Sequence, residues 1–160
     1  MKKGLSNFFE EYLAKTPLFV NKRALQGNFT PDNIPHRDEQ IKQLASILAP
    51  ALRMEKPSNV FLYGKTGTGK TCVTQYIASQ IFDLSKKKNL DLKICYLNCK
   101  LKKVADTEYR LMAELARNFN VEVPATGLPT EEVYKIFVKA IDSNEKKLIL
   151  LILDEIDQLV

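Results

Sequence analysis

The eight residues Gly64-Lys65-Thr66-Gly67-Thr68-Gly69-Lys70-Thr71 constrain the fold of this chain more than any other stretch. Glycines at 64, 67 and 69 let a backbone wrap a small anionic group without side-chain collision, and its N–H groups turn inward. Such a turn needs a rigid element on each side. Asn59 to Tyr63 (NVFLY) is a short, apolar, β-prone run that stops at Gly64 and reads as a buried strand. Beyond the turn, Val73, Tyr76, Ile77, Gln80 and Ile81 recur at helical spacing, which predicts a helix from about residue 70 to 84. Strand, glycine-rich turn and helix together form the frame in which a helix N-terminus holds phosphate. In the pattern GxxxxGK[ST], Lys70 reaches the β- and γ-phosphates and the Thr71 hydroxyl ligates Mg²⁺. The expected ligand is a nucleoside triphosphate, Mg-ATP. Its contacts are expected from Gly64, Lys65, Thr66, Gly67, Thr68, Gly69, Lys70 and Thr71, with Cys72 just beyond.

The remaining chain supplies the elements of an α/β sheet. Residues 1–35 are broken by Pro17, Gly27, Pro31 and Pro35 and read as a loop-rich arm with one short helix around Asn7 to Ala14. Ile41, Leu44, Ala45, Leu48, Ala51 and Leu52 predict a helix from Asp38 that Pro50 ends or kinks. Lys86, Lys87 and Lys88 mark an exposed loop, and Lys93 to Asn98 (KICYLN) a second strand. Met112, Leu115, Ala116 and Phe119 share one face of a third helix over Thr107 to Phe119, with Asp106 or Thr107 as N-cap. A fourth helix begins at Thr130, with Glu131 and Glu132 in its favourable first turn. Leu148 to Leu153 (LILLIL) is fully apolar, the pattern of a strand buried on both faces of a parallel sheet. Strands alternating with helices imply a parallel sheet with right-handed crossovers, which binds ligands beyond the carboxyl ends of its strands. The reading is an N-terminal arm, residues 1–35, and a nucleotide-binding core, residues 36–160.

Asp154 and Glu155 follow directly on LILLIL. A carboxylate at that strand end can hold Mg²⁺, and a second can polarise an attacking water. Asp154 is the candidate metal partner, together with Thr71; Glu155 is the candidate general base, and Lys70 the second catalytic group.

Composition narrows the function classes. The 160 residues are enough for one domain with a sizeable core, and 45% apolar with 27% charged is an ordinary folded composition. The net charge of +5 permits a polyanionic partner without demanding one. Cys72, Cys95 and Cys99 form no CxxC pair, and His36 stands alone among histidines, so no zinc set is present. That cysteine usage points to a reducing, cytoplasmic setting. No apolar run approaches the length needed to cross a membrane, and Met1 to Leu5 is no secretory signal.

GKTGTGKT with LILLILDEID resembles the AAA+ branch of P-loop NTPases, and the stretch Ile34-Pro35-His36-Arg37-Asp38-Glu39-Gln40-Ile41 narrows the likeness. With YLNC, TEYRLMAEL and VPATGLPTEEVY, it resembles the archaeal origin-recognition and cell-division-control initiator family from Pro17 to Val160. The resemblance implies an ATP-binding DNA replication initiator that binds duplex DNA at origins and helps load the replicative helicase. ATP binding and slow hydrolysis would control it, and self-association with other initiators and a nucleoid location follow. It also implies an adenine pocket lined by Ile34, Pro35, His36 and Arg37, and DNA contact by the insertion around Asp106 to Pro129. Lys100, Lys102 and Lys103 nearby suit phosphates, although a lysine run is usually a solvated face.

The resemblance further implies the strand order 5-1-4-3-2, with NVFLY, KICYLN and LILLIL as strands one, two and three. Strands four and five, the helical lid, the sensor residues, the arginine finger and the winged helix have no counterpart here. The expectation is therefore an incomplete three-layer AAA+ fold in which strand one has unpaired edges, and a fragment with little or no turnover. Two alternatives stay open: a AAA+ helicase loader or signalling ATPase that does not bind origins, and a nucleotide-binding remnant without turnover.

Overall fold

A computed structural model describes residues 2–16, 19, 22, 31, 33–100, 107–124, 127–143 and 148–159. The chain divides into two compact units, Met1–Asp32 and Asn33–Val160. The first contains helix α1, Lys2–Ala14, which begins five residues earlier than the apolar spacing around Asn7 suggests. Leu5, Phe8, Phe9, Tyr12 and Leu13 lie exposed along it at spacings of three and four residues, one stripe of a helix. Part of the expected loop-rich arm, including Leu18, Val20 and Gly27, lies outside the described residues.

The second unit starts with α2, Asp38–Leu48, whose first turn carries Asp38 and Glu39 against the positive helix end. Pro50 acts as expected. The α-helix stops at Leu48 and a 3-10 turn, Ala49–Arg53, takes over. Helix α3, Lys70–Lys87, runs longer than periodicity indicated and absorbs Lys86 and Lys87, which were expected in a loop. Cations in a last turn face the negative helix end, so these lysines extend the helix rather than break it. Strand β1 spans Leu92–Asn98, α4 Glu108–Arg117, α5 Thr130–Asp142 and β2 Leu148–Asp154. A 3-10 turn, Ile156–Gln158, follows. Of the two candidate caps on α4, Thr107 is the one seen, its side chain accepting the Arg110 N–H at 3.3 Å. Asp106 lies outside the described residues.

β1 and β2 pair in parallel, with Leu92 opposite Leu148 and Asn98 opposite Asp154. Because strand side chains alternate, this register sorts the residues of both strands onto two faces. Leu92, Ile94, Leu148 and Leu150 pack with Ile34, Leu44, Val73, Ile77 and Ile81, under α2 and α3. Leu97 and Leu153 pack with Leu111, Leu115 and Phe137, under α4 and α5. Helices therefore cover both faces, the three-layer α/β arrangement expected. The largest fully buried side chains are Leu115 of α4 and Val133 of α5, and each contributes about 1.5–3 kcal/mol of transfer free energy.

Two strand expectations need correction. Asn59 to Tyr63 forms no strand among the described residues; the backbone there is irregular, and Phe61 and Tyr63 are 75% and 84% exposed, stacked on each other at 6.2 Å. A strand needs a ladder partner for its N–H and C=O groups. In the expected order strand four separates this segment from β2, so neither strand of the described sheet borders it. β2 is likewise less covered than its apolar sequence suggested: its residues are half-buried, and Leu151 is exposed. Among the described residues only β1 pairs with it, which leaves its outer edge and part of both faces open.

Candidate functional site

The parallel register and α3 together build one polar cluster at the carboxyl ends of the strands. Asp154 is the last residue of β2, and Asn98, opposite it, the last of β1. Tyr96 lies two residues earlier on the same face, the face that α3 covers. Thr71, in the first turn of α3, hydrogen-bonds the Asp154 carboxylate at 3.0 and 3.2 Å, to Oδ2 and Oδ1. The Tyr96 hydroxyl donates to Oδ2 at 2.6 Å, Asn98 Nδ2 donates to Oδ2 at 3.3 Å, and the Glu155 N–H donates to Oδ1 at 3.1 Å. Asn98 is held at its other end, where Oδ1 accepts the Lys100 N–H at 2.9 Å. The Cys99 N–H donates to the Asp154 carbonyl at 2.8 Å and locks the two strand ends together.

The loop before α3 has the backbone its glycines permit. Gly67 and Gly69 take φ of 80° and 83°, a left-handed region that costs a side-chain-bearing residue about 1–2 kcal/mol. Gly69 is the N-cap of α3 and offers no side chain to the helix end. The first N–H groups of any α-helix lack intrahelical acceptors. In α4 Thr107 takes up one of them; in α3 they stay available to an anion. Lys70 Nζ donates to the carbonyls of Gly64 at 2.9 Å and Lys65 at 3.0 Å, and the Thr68 hydroxyl to the Lys65 carbonyl at 2.8 Å. The ammonium thus ties the loop together while keeping one of its three donors for a ligand.

Burial and the neighbouring Asp154 push the Tyr96 hydroxyl above its ordinary pKa, while a hydrogen bond from Gln75 works against the rise. The phenol is therefore a neutral donor through the physiological range. Burial also raises Cys95 and Cys99, the latter with help from Asp154, and all three cysteines are free thiols. These two buried cysteines are packing groups rather than thiolate nucleophiles.

This geometry could hold a phosphate chain and a hard cation. Donors converge from the loop and the α3 terminus, and the Thr71 hydroxyl donates its hydrogen bond to Asp154, leaving its lone pairs for a cation. The sequence-selected residues Lys70, Thr71 and Asp154 come together here. Glu155 sits at the strand exit in a left-handed conformation, φ 55°, adjacent to the cluster. Lys65, Thr66 and Thr68 lie exposed on the loop. Ile34 is buried in the core beside Val73, with Cys72 packed against the same cluster. Pro35 and His36 are exposed and Arg37 half-buried, leading into α2. Lys100 is exposed, and Lys102 and Lys103 lie outside the described residues. Tyr96, Asn98 and Gln75 were not selected from the sequence. The period-2 rule applied to KICYLN places Tyr96 and Asn98 on one face, and Gln75 stands four residues after Thr71, one turn along α3.

Comparison with known proteins places this arrangement. Residues 33–159 match the family described as AAA ATPase domain. A relative from Methanosarcina mazei, named ORC1-type DNA replication protein 1, is 49% identical over 157 residues, 98% of this chain and 37% of the relative. The structure of the Aeropyrum pernix Orc1 protein in complex with DNA superposes with a TM-score of 0.83 at 37% identity, covering 90% of this chain and 37% of that one. Cdc6p from Pyrobaculum aerophilum follows at a TM-score of 0.66 and 27% identity, with 88% and 35% covered. The chain thus spans 37% of the length of the curated relative it matches. With a glycine-rich loop ahead of α3, Asp154 against Thr71 and a family match across the second unit, the chain belongs to the AAA ATPase domain family.

Proposed function

We propose that this chain is the nucleotide-binding part of an ATP-dependent DNA replication initiator. The observation that carries the reading is the contact between Thr71, directly after the loop lysine, and Asp154, 83 residues away at the end of β2. Thr71 and Asp154 would hold a divalent cation beside a phosphate chain, so Mg-ATP or Mg-ADP is the ligand. The bound Mg²⁺ would neutralise phosphate charge and draw electrons toward the leaving group. The chain's own groups do the rest. The N–H groups of Gly67 to Thr71 surround the phosphates, Lys70 adds its remaining donor, and Asp154 accepts a hydrogen bond from Thr71. Glu155, at the strand exit, orients and deprotonates the attacking water. Ile34 supports the adenine-facing segment from below, Pro35 and His36 offer its exposed side, and the half-buried Arg37 adjoins them.

Duplex DNA at origins is the second ligand, in keeping with the DNA complex of the Aeropyrum pernix Orc1 protein. The insertion around α4 and the exposed Lys100 are the candidate contacts. Helicase loading, self-association and a cytoplasmic, nucleoid-associated setting belong to the same reading. Among the described residues no helix is long and apolar enough to cross a membrane. Hydrolysis is expected to be slow, with nucleotide state rather than turnover setting conformation. The test is a pair of titrations. Saturable, Mg²⁺-supported binding of a fluorescent ATP analogue is expected, together with duplex binding whose log K falls linearly with log salt. Absence of nucleotide binding, or salt-independent DNA binding, would overturn the proposal.

A further inference from the structure

We infer that Tyr96, backed by Gln75, is a positioning residue for the Asp154 carboxylate and so for Mg²⁺ in the nucleotide site. The inference rests on reading that site as one for a magnesium nucleotide. The terminal torsion of an aspartate is broad, so an unsupported carboxylate exchanges its oxygens and tilts its plane. A cation site needs one lone pair held in one direction.

The Tyr96 phenol provides the shortest contact in the cluster, 2.6 Å to Oδ2. Asn98 reaches the same oxygen at 3.3 Å, while the Glu155 N–H takes Oδ1 at 3.1 Å. One oxygen is thus anchored from β1 and the other from the backbone, so the carboxylate plane is set from two sides. Thr71 Oγ1 faces both oxygens from the α3 side, at 3.0 and 3.2 Å. Tyr96 is paired with Ile152, two residues before Asp154, and a tyrosine is long enough to reach that diagonal neighbour.

Gln75 completes the device. Its side chain lies in hydrogen-bonding reach of the Tyr96 hydroxyl, as does that of Asn98, while the phenolic proton goes to Asp154 at 2.6 Å. Because Gln75 lies one turn after Thr71 on α3, one helix face holds both the cation ligand and the group that orients its partner. A chain of hydrogen bonds, Gln75 to Tyr96 to Asp154 and Thr71 to Asp154, therefore ties α3, β1 and β2 to one carboxylate. Groups that orient metal-bound carboxylates typically change metal affinity 10–100-fold when removed.

The hydroxyl can be removed while the ring stays, which separates positioning from packing. In the 160-residue chain, the dissociation constant of a fluorescent ADP analogue is measured in Mg²⁺ and in EDTA. The ratio of the two constants reports what the cation adds. Tyr96→Phe is expected to narrow this ratio about tenfold, and Gln75→Leu to narrow it in the same direction by less. An unchanged ratio in Tyr96→Phe, including the case where both constants weaken in proportion, would show a packing role alone and overturn the inference. If thermal melting shows that Tyr96→Phe does not fold, Gln75→Leu decides, and an unchanged ratio there overturns it equally. A wild-type chain that binds the analogue no better with Mg²⁺ than without would instead overturn the reading of the site itself.

Discussion

Lys70→Ala separates what the loop lysine does for a ligand from what it does for the protein. Nζ lies 2.9 and 3.0 Å from the Gly64 and Lys65 carbonyls, so two of its three donors tie the loop and one faces outward. Two unit charges 4 Å apart attract by about 4 kcal/mol at an effective dielectric of 20. Lys70 is only half-buried, so water screens part of that attraction, and roughly 2–3 kcal/mol is expected to survive. On the affinity scale this is about a hundredfold weaker binding of ATP. The carbonyl contacts are exposed, so their loss is expected to lower stability by less than about 1 kcal/mol. The assay is calorimetric titration with a slowly hydrolysed ATP analogue and Mg²⁺, alongside thermal melting without nucleotide. An affinity within threefold of wild type would refute the electrostatic argument. So would a loss of folding large enough to account for the weaker binding, because the lysine would then be a structural tie.

The α4–α5 layer and the segment before the loop make contrasting predictions. Leu115 is 1% exposed and packs with Leu97, Leu111 and Phe137, so Leu115→Ala should cost about 3 kcal/mol in urea unfolding, and a loss below 1 would contradict its burial. Phe61→Ser with Tyr63→Ser removes two large but exposed rings, and stability should stay within about 0.5 kcal/mol; a loss of several kcal/mol would show that these rings are buried.

Much of this protein was readable without its fold, because the relevant signals are local. A glycine at 67 or 69 is needed where φ turns positive, Pro50 stops a helix by lacking an N–H, and apolar spacing marks α2, α3, α4 and α5. The candidate nucleotide site could be picked out from the loop and the acidic pair, since both carry their chemistry in adjacent residues. Other features depended on partners far away in the chain. Asn59 to Tyr63 has the composition of a strand, but a strand exists only where another backbone accepts and donates its hydrogen bonds, and here the segment lies open. LILLIL is apolar throughout, yet its burial is set by what covers it rather than by its own residues. Tyr96, Asn98 and Gln75 carry no motif. Tyr96 and Asn98 meet at Asp154, with Gln75 behind Tyr96, only through the parallel register of β1 with β2 and the seating of α3 across that face. Local chemistry identified which groups could bind a nucleotide, and non-local pairing decided which groups hold them in place.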